Sequence, residues 1–396
     1  MNPSINLLSD LIRELQQRKD ASFDSHAFVG FDGFVETLKR AVRKKENGGK
    51  VYFKTQAEFS KRVASMNAGC LNEIELITER IKPGGNAPNL ADTLSHLGVS
   101  TVCAGSFGIP EIHPAFSELT RHTHIINVMN PGRRDIIEFE DGEIILSDLS
   151  AFNDYDWPSI KKTWGLEKIE KTVQASQLLA FVDWVNLPHA SDIWDGILHD
   201  IIKPSGRRDF LFYFDLCDPA QKSTQEIDEV LDLMSCFSPY GKVTLSINES
   251  ETLKIWAAIN GVDINLLDAK SKIPRVIDAG AYIHKAMNID YLLVHTRDQT
   301  IVYYRNDTIE LENRLVRKPQ VLTGGGDNLN AGYCLGLLYG LSLPQCVMLG
   351  MATSGAYIQN GISPDLNAVL NYLHVWMKEL NVKAEDSTVV SVNSPT

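Results

Sequence analysis

From Leu178 onward the chain repeats one pattern, a short apolar run followed by an amphipathic stretch. The runs 178–185, 210–215, 243–247 and 291–295 predict strands, and 189–202, 222–236, 249–258 and 273–287 predict helices. Near-continuous apolar strands joined by helical crossovers specify a parallel sheet flanked by helices. His26 to Phe31, ending at Asp32-Gly33, and Val99 to Ala104 predict two more buried strands. Helices are predicted at 327–340, 344–360 and 364–380.

The remaining segments break this pattern. Val51 to Phe53 and Glu73 to Ile77 read as strands, and the second alternates polar with apolar residues, so one of its faces is wet. Residues 39–50 are basic and end in an Asn47-Gly48-Gly49 loop. Residues 122–147 read as a polar antiparallel meander: His124 to Val128, Arg134 to Phe139, an Asp141-Gly142 turn, then Glu143 to Leu146. Two insertions, about 34–80 and 106–147, are therefore expected to build a small β-sheet lid on one α/β domain spanning 26–380. Residues 1–25 carry Leu7, Leu8, Leu11, Ile12 and Leu15 at helical spacing, with Ser4 as the cap. This predicts an amphipathic helix packed on the body. Residues 381–396 are expected to form a frayed tail. A length of 396 residues accommodates one large α/β domain with such additions.

Composition narrows the function. A net charge of −12 argues against nucleic-acid binding, which needs a basic surface. No apolar run approaches the roughly 18 residues of a membrane span. The N-terminus lacks the basic-then-apolar order of a signal peptide, so a cytoplasmic protein without a membrane partner is expected. The six cysteines (70, 103, 217, 236, 334 and 346) show no C-x-x-C spacing, which points to small, buried, reduced residues. His113, His122, His124, His189 and His199 are scattered and are assigned no metal.

Three glycine- or asparagine-bearing turns carry the chemistry. Thr323-Gly324-Gly325-Gly326-Asp327 opens an apolar helix. Its glycines leave backbone amides open to a ligand, and the helix N-terminus suits an anion. Asp327, in the first turn, can take a proton from a hydroxyl attacking phosphorus. The competing reading is a flexible loop with Asp327 as a plain cap. Gly84-Gly85-Asn86-Ala87-Pro88-Asn89 also opens a helix, and its asparagines suit a polyol. The alternative is a turn with a cap. Asn248-Glu249-Ser250-Glu251 follows a strand. There a carboxylate can hold a metal-bound water beside a nucleotide phosphate, or Asn248 and Glu251 simply form a capping box. Asn130-Pro131-Gly132-Arg133-Arg134-Asp135 places tandem arginines in the lid, either as an anion clamp or as a solvated hairpin tip.

In their order and separation these turns resemble those of the ribokinase-like (PfkB) carbohydrate kinases, over roughly residues 26–380. The resemblance implies a three-layer α/β/α core with a mostly parallel central sheet, and a lid over the sugar. It implies phosphoryl transfer from ATP, with Mg²⁺, to a hydroxyl of a sugar or related small polyol. Asp327 would be the catalytic base, and Gly324, Gly325 and Gly326 the anion hole. Asn248 and Glu251 would serve nucleotide and Mg²⁺ respectively. Gly84, Gly85 and Asn89 would contact sugar. Asp32 and Glu36 compete for an acidic sugar-binding position, with Asp32 favoured, and Asp183 is either a further sugar contact or a turn residue.

Departures from the family pattern cluster on the nucleotide side. Val321-Leu322 stand where Asp-Thr is usual, which puts activation by a monovalent cation in doubt. His295-Thr296-Arg297-Asp298-Gln299-Thr300 replaces a turn with two glycines, leaving Thr296 as its nucleotide contact. Met351 stands where an Asn often lies near adenine. A nucleoside kinase of the same fold, or a catalytically degenerate sugar- or nucleotide-binding sensor, are the alternatives. The family's lids often pair across a homodimer. A Rossmann dehydrogenase is set aside, because no early G-x-G-x-x-G follows a strand.

Overall fold

The computed structural model describes residues 3–19, 25–46, 48–66, 69–70, 72–262, 273–321 and 323–392. The expectations placed on Asn47, Leu322 and residues 393–396 lie outside the described residues.

The chain begins with helix α1 (Pro3–Arg18) and strand β1 (His26–Phe31). Strands β2 (Phe34–Glu46) and β3 (Gly49–Tyr52), helix α2 (Gln56–Ala64) and strand β4 (Leu76–Gly84) follow. Helix α3 (Asn86–His96) leads to β5 (Ser100–Ser106), β6 (His124–Met129) and the hairpin of β7 (Gly132–Phe139) with β8 (Gly142–Asp148). Helices α4 (Trp157–Trp164) and α5 (Leu166–Ala175) precede β9 (Leu178–Val182), α6 (Ala190–Ile197), the short α7 (Lys203–Ser205) and β10 (Phe210–Asp215). Then come α8 (Thr224–Ser235), β11 (Gly241–Asn248), α9 (Glu249–Ile259), α10 (Val276–Ala286), β12 (Tyr291–His295), β13 (Gln299–Tyr304) and β14 (Asp307–Glu312). Helices α11 (Gly325–Leu338), α12 (Leu343–Asn360) and α13 (Leu366–Val392) complete the described chain.

Nine strands form the larger sheet in the order β14-β13-β12-β11-β10-β9-β1-β5-β6. Its pairs from β6 across to β12 are parallel, and β13 and β14 extend the edge antiparallel. Its strands are apolar on both sides because both faces are covered. Phe28 and Val29, neighbours on β1, enter separate clusters, one around Trp194 and Phe237, the other around Tyr213 and Tyr333. Burying each such large apolar side chain contributes about 1.5–3 kcal/mol. Leu8, Leu11 and Leu15 of α1 are fully buried, and α1 packs on α12 and α13. Among the described residues no helix is long and apolar enough to cross a membrane.

The smaller, five-stranded sheet is the lid. It runs β3-β2-β7-β8, with β4 paired to β2. Strand β6, expected in the lid meander, instead pairs parallel to β5 at the edge of the large sheet. An edge strand is half solvated, so its composition imitates a lid strand. The lid strand expected at Glu73 starts at Leu76 and runs to Gly84. Its Thr78-Glu79-Arg80 stretch is exposed, so no apolar run marks it. The antiparallel pair β13 and β14 was not expected. Ser4 lies inside α1 rather than at its cap. The last helix continues to Val392, past the expected start of the tail. All six cysteines are free, but Cys70 and Cys236 are exposed and Cys217 is half-buried, so burial holds only for Cys103, Cys334 and Cys346.

Candidate active site

The carboxyl ends of β1, β9, β10 and β11 converge with the N-termini of α3 and α11, which is where open α/β sheets bind ligands. Asp32 follows β1 directly and is fully buried. Its Oδ2 accepts from the Asn86 amide at 2.8 Å and its Oδ1 from the Ala87 amide at 2.7 Å. It therefore caps α3 from another element, because the residue at the cap, Gly85, has no side chain to do so. Gly85 has φ +111°, and a Cβ there would lie 2.3 Å from Asp32 Oδ2. Burial and the neighbouring Asp183 carboxyl push the Asp32 pKa well up.

Asp183 is also fully buried, with φ +57° at the end of β9. One of its oxygens accepts from Asn186, and the other has no partner among the described residues. A non-glycine residue in this left-handed region costs roughly 1–2 kcal/mol and persists where its surroundings fix it. Cys217, after β10, adopts φ +63°. Its Sγ donates to Asn86 Oδ1 at 3.3 Å.

Asp327 is the third residue of α11 and is buried. Its Oδ1 accepts from Asn86 Nδ2 at 3.1 Å and its Oδ2 from Asn89 Nδ2 at 2.8 Å. Residues three apart on a helix share a face, so α3 presents both amides to one carboxylate. Asn86 was expected only as one of two asparagines suited to a polyol, not as a partner of Asp327. The signal was present in its spacing from Asn89. Burial and the charge of Asp215 raise the Asp327 pKa well above the usual carboxylate range, and the Asn89 hydrogen bond opposes them. Gly324 caps α11 with φ +82°, and a Cβ there would meet the Tyr357 hydroxyl at 2.7 Å. Gly326 lies beside His295, whose Cε1 would be 3.6 Å from an added Cβ. Burial pushes His295 down to about 4, so its imidazole is neutral at pH 7.

Asn248 and Glu251 form the capping box that was one of the two expectations for them. Glu251 N donates to Asn248 Oδ1 at 3.0 Å, and Asn248 N to Glu251 Oε2 at 2.8 Å. Burial first, and then the charge of Asp215, push Glu251 up to about 8. Asp215 is itself held up to about 6 by burial. A cleft of about 1050 Å³ opens beside these groups, lined by Asn248, Thr296, Val321, Gly325, Gly326 and Met351 among others.

Over the site, the inner face of the lid carries Glu36, which is buried. Its carboxylate lies 3.3 Å from Lys82 Nζ and 3.5 Å from Arg134 Nη1. Gly84 makes room for it, since a Cβ there would lie 2.2 Å from that carboxylate. Arg134 stacks 3.5 Å above the Phe34 ring. Arg133 points to the opposite lid face, as alternation along β7 requires, and lines a separate cleft. The tandem arginines are thus strand residues on two faces, not a hairpin tip.

The buried acids predict a stability profile. Asp215 and Glu251 titrate at about 6 and about 8 in the folded protein, against about 4 in an unfolded chain. Between those values the folded protein holds protons that the unfolded chain has released. Stability therefore falls as pH rises through this window. Calorimetry should show the unfolding midpoint dropping from about pH 5 to about pH 8, with Glu251→Gln flattening the upper part of the slope. A midpoint that climbs over this range would contradict the assignment.

A mostly parallel nine-stranded sheet, a five-stranded lid and a glycine turn presenting Asp327 at a helix start define a ribokinase-like carbohydrate kinase. The family profile described as prokaryotic ketohexokinase matches residues 9–376, and the chain belongs to that family. A ketohexokinase of Haloferax volcanii is 23% identical over 360 residues, covering 90% of this chain and 92% of the relative. Arabidopsis thaliana ribokinase, solved with ribose and ATP, superposes with a TM-score of 0.60 at 14% identity, over 89% of this chain and 99% of that one. A Methanocaldococcus jannaschii nucleoside kinase gives 0.56 at 14% identity, over 88% and 98%. At these identities the two structures speak to the fold alone.

Proposed function

We propose that this carbohydrate kinase transfers the γ-phosphoryl group of ATP to a hydroxyl of a ketohexose, with Asp327 as general base. The observation that carries this is Asp327 itself. It is a buried carboxylate with a raised pKa, held by Asn86 and Asn89, and it directly follows the Gly324–Gly326 turn. Asp327 accepts the hydroxyl proton while that oxygen bonds to phosphorus and the β–γ bridging oxygen departs with ADP. The amides opening α11 stabilise the charge on the transferring group. The sugar is read as lying between α3 and the lid, against Asn89, the Gly84-Gly85 turn and Glu36. Asp32 supports that turn from beneath, and Asp183 is read as a further sugar contact through its unpartnered oxygen. Thr296 and Met351 are read as walls of the nucleotide cleft, beside Asn248.

Among the described residues no three acidic, histidine or cysteine side chains converge as a metal cage. Mg²⁺ commonly keeps its waters and uses one or two carboxylates plus substrate phosphates, and the buried Glu251 with Asp215 fits that need. Bound there, it would neutralise phosphate charge. The exposed Ile81 and Leu146, which share one face of the lid through the Thr37–Asp135 row, support pairing of two copies through that sheet; light scattering of the wild type against Leu146→Asp checks it.

A phosphoryl-transfer screen tests the substrate. Ketohexoses, aldoses, sugar acids and nucleosides would be offered with ATP, GTP and ADP. Ketohexose with ATP should turn over fastest. Preference for a nucleoside, or binding without turnover, would replace the proposal with one of the two alternatives.

A further inference from the structure

We propose that the Arg297 guanidinium grips the phosphate chain of the donor nucleotide. This rests on taking the 1050 Å³ cleft as the nucleotide site.

The argument begins with the turn between β12 and β13. Thr296 Oγ1 accepts from the Asp298 amide at 3.3 Å and from the Gln299 amide at 3.1 Å. The Thr296 amide donates to the Gln299 carbonyl at 2.9 Å. Asn313 Nδ2 donates to the carbonyls of Thr296 and Arg297 at 2.9 and 3.1 Å, and its amide to the Asp298 carbonyl at 2.8 Å. The amides of 296, 298 and 299 are thus spent within the protein. A glycine-rich turn can offer such groups to a phosphate, but this one is closed on itself. What it still extends is the Arg297 side chain.

The other basic groups lining the cleft are already engaged or neutral. Arg314 makes two 2.8 Å contacts with Glu379 and stacks 4.5 Å above the Tyr372 ring. His295 is neutral at pH 7. Arg297 is exposed, and its guanidinium has no ion pair or hydrogen bond among the described residues. It follows His295 by two positions, and His295 abuts Gly326. The nearby acids Glu249, which also lines the cleft, and Asp298 would repel a polyphosphate. In a chain of net charge −12, an uncommitted cation here is what offsets them. A planar guanidinium suits phosphate oxygens in pairs.

Calorimetric titration of ATP, ADP and adenosine into the wild type, Arg297→Ala, Arg297→Lys and the remote exposed variant Arg305→Ala tests this. Arg297→Ala should weaken ATP and ADP by about 10- to 100-fold and leave adenosine unchanged. Lysine should restore part of the loss, and the ATP KM should rise while the sugar KM does not. Arg305→Ala should bind like the wild type. Unchanged ATP affinity in Arg297→Ala overturns this assignment alone. Equal weakening of adenosine also overturns it, by making the residue a shaper of the pocket. Absence of ATP binding in the wild type overturns the nucleotide site and this assignment with it.

Discussion

Asp327→Asn should lower kcat by about 10²- to 10⁴-fold and leave a folded protein. The substitution keeps the shape of the side chain but removes its capacity to take a proton. It also turns an NH₂ group towards one of the two asparagine amides that now donate to it, so one of the contacts from Asn86 and Asn89 is lost. That loss is offset by removing a charge that burial disfavours. A normal unfolding curve with turnover lost is the expected pair of results. A variant retaining near-wild-type kcat would end the base assignment. The pH profile gives an independent check. A general base works ionised, so with Asp327 in that role activity should fall as pH drops through its pKa. Because burial raises that pKa, the acid limb of kcat/KM should lie above the range of an ordinary carboxylate, about 4. Asn89→Ala should move the limb further up, since it removes a donor that favours the ionised form.

Gly85→Ala should destabilise the fold by about 3–5 kcal/mol, combining backbone strain with damage to a charge-assisted cap. At φ +111° a side chain is disfavoured, and the new Cβ would stand 2.3 Å from Asp32 Oδ2. Either the carboxylate withdraws from the amides of Asn86 and Ala87 or the turn shifts. Both outcomes displace Asn86 and Asn89, so activity should fall with stability. Gly98→Ala is the matched control. Its φ is +92° but nothing lies within 4 Å of an added Cβ. It should cost about 1–2 kcal/mol, strain alone. Equal denaturation midpoints for the two variants would show that the Asp32 contact carries no weight.

Much of this architecture is written in local patterns. The strands at 26–31, 210–215 and 291–295 are continuous apolar runs because both sheet faces are covered. Asp327 was legible because glycines and a helix start flank it. The lid was less legible: β4 is mostly exposed, and β6 looks like a lid strand because it sits at an edge. Asp32 was singled out for its position after a strand, but its capping of α3 joins residues 54 and 55 positions apart, which no local pattern records. The contacts of Asn86 escaped notice for a similar reason, since its partners Asp327 and Cys217 lie far along the chain. The closed turn at 296–299 depends on Asn313, from beyond β14, and is equally invisible locally.

Three of the four links between the lid and the core are very short. Asp32-Gly33 joins β1 to β2, Gly85 joins β4 to α3, and Asn130-Pro131 joins β6 to β7. Two of these three tethers hold the carboxylate and the glycine that orient α3. Any swing of the lid must be absorbed by backbone rotation at such junctions. The lid is therefore geared to the floor of the candidate site: its pivot and the seat of the Asn86–Asn89 pair are the same few residues. A lever mounted on the part it has to align can set that part's angle as it moves, without a separate transmission between them.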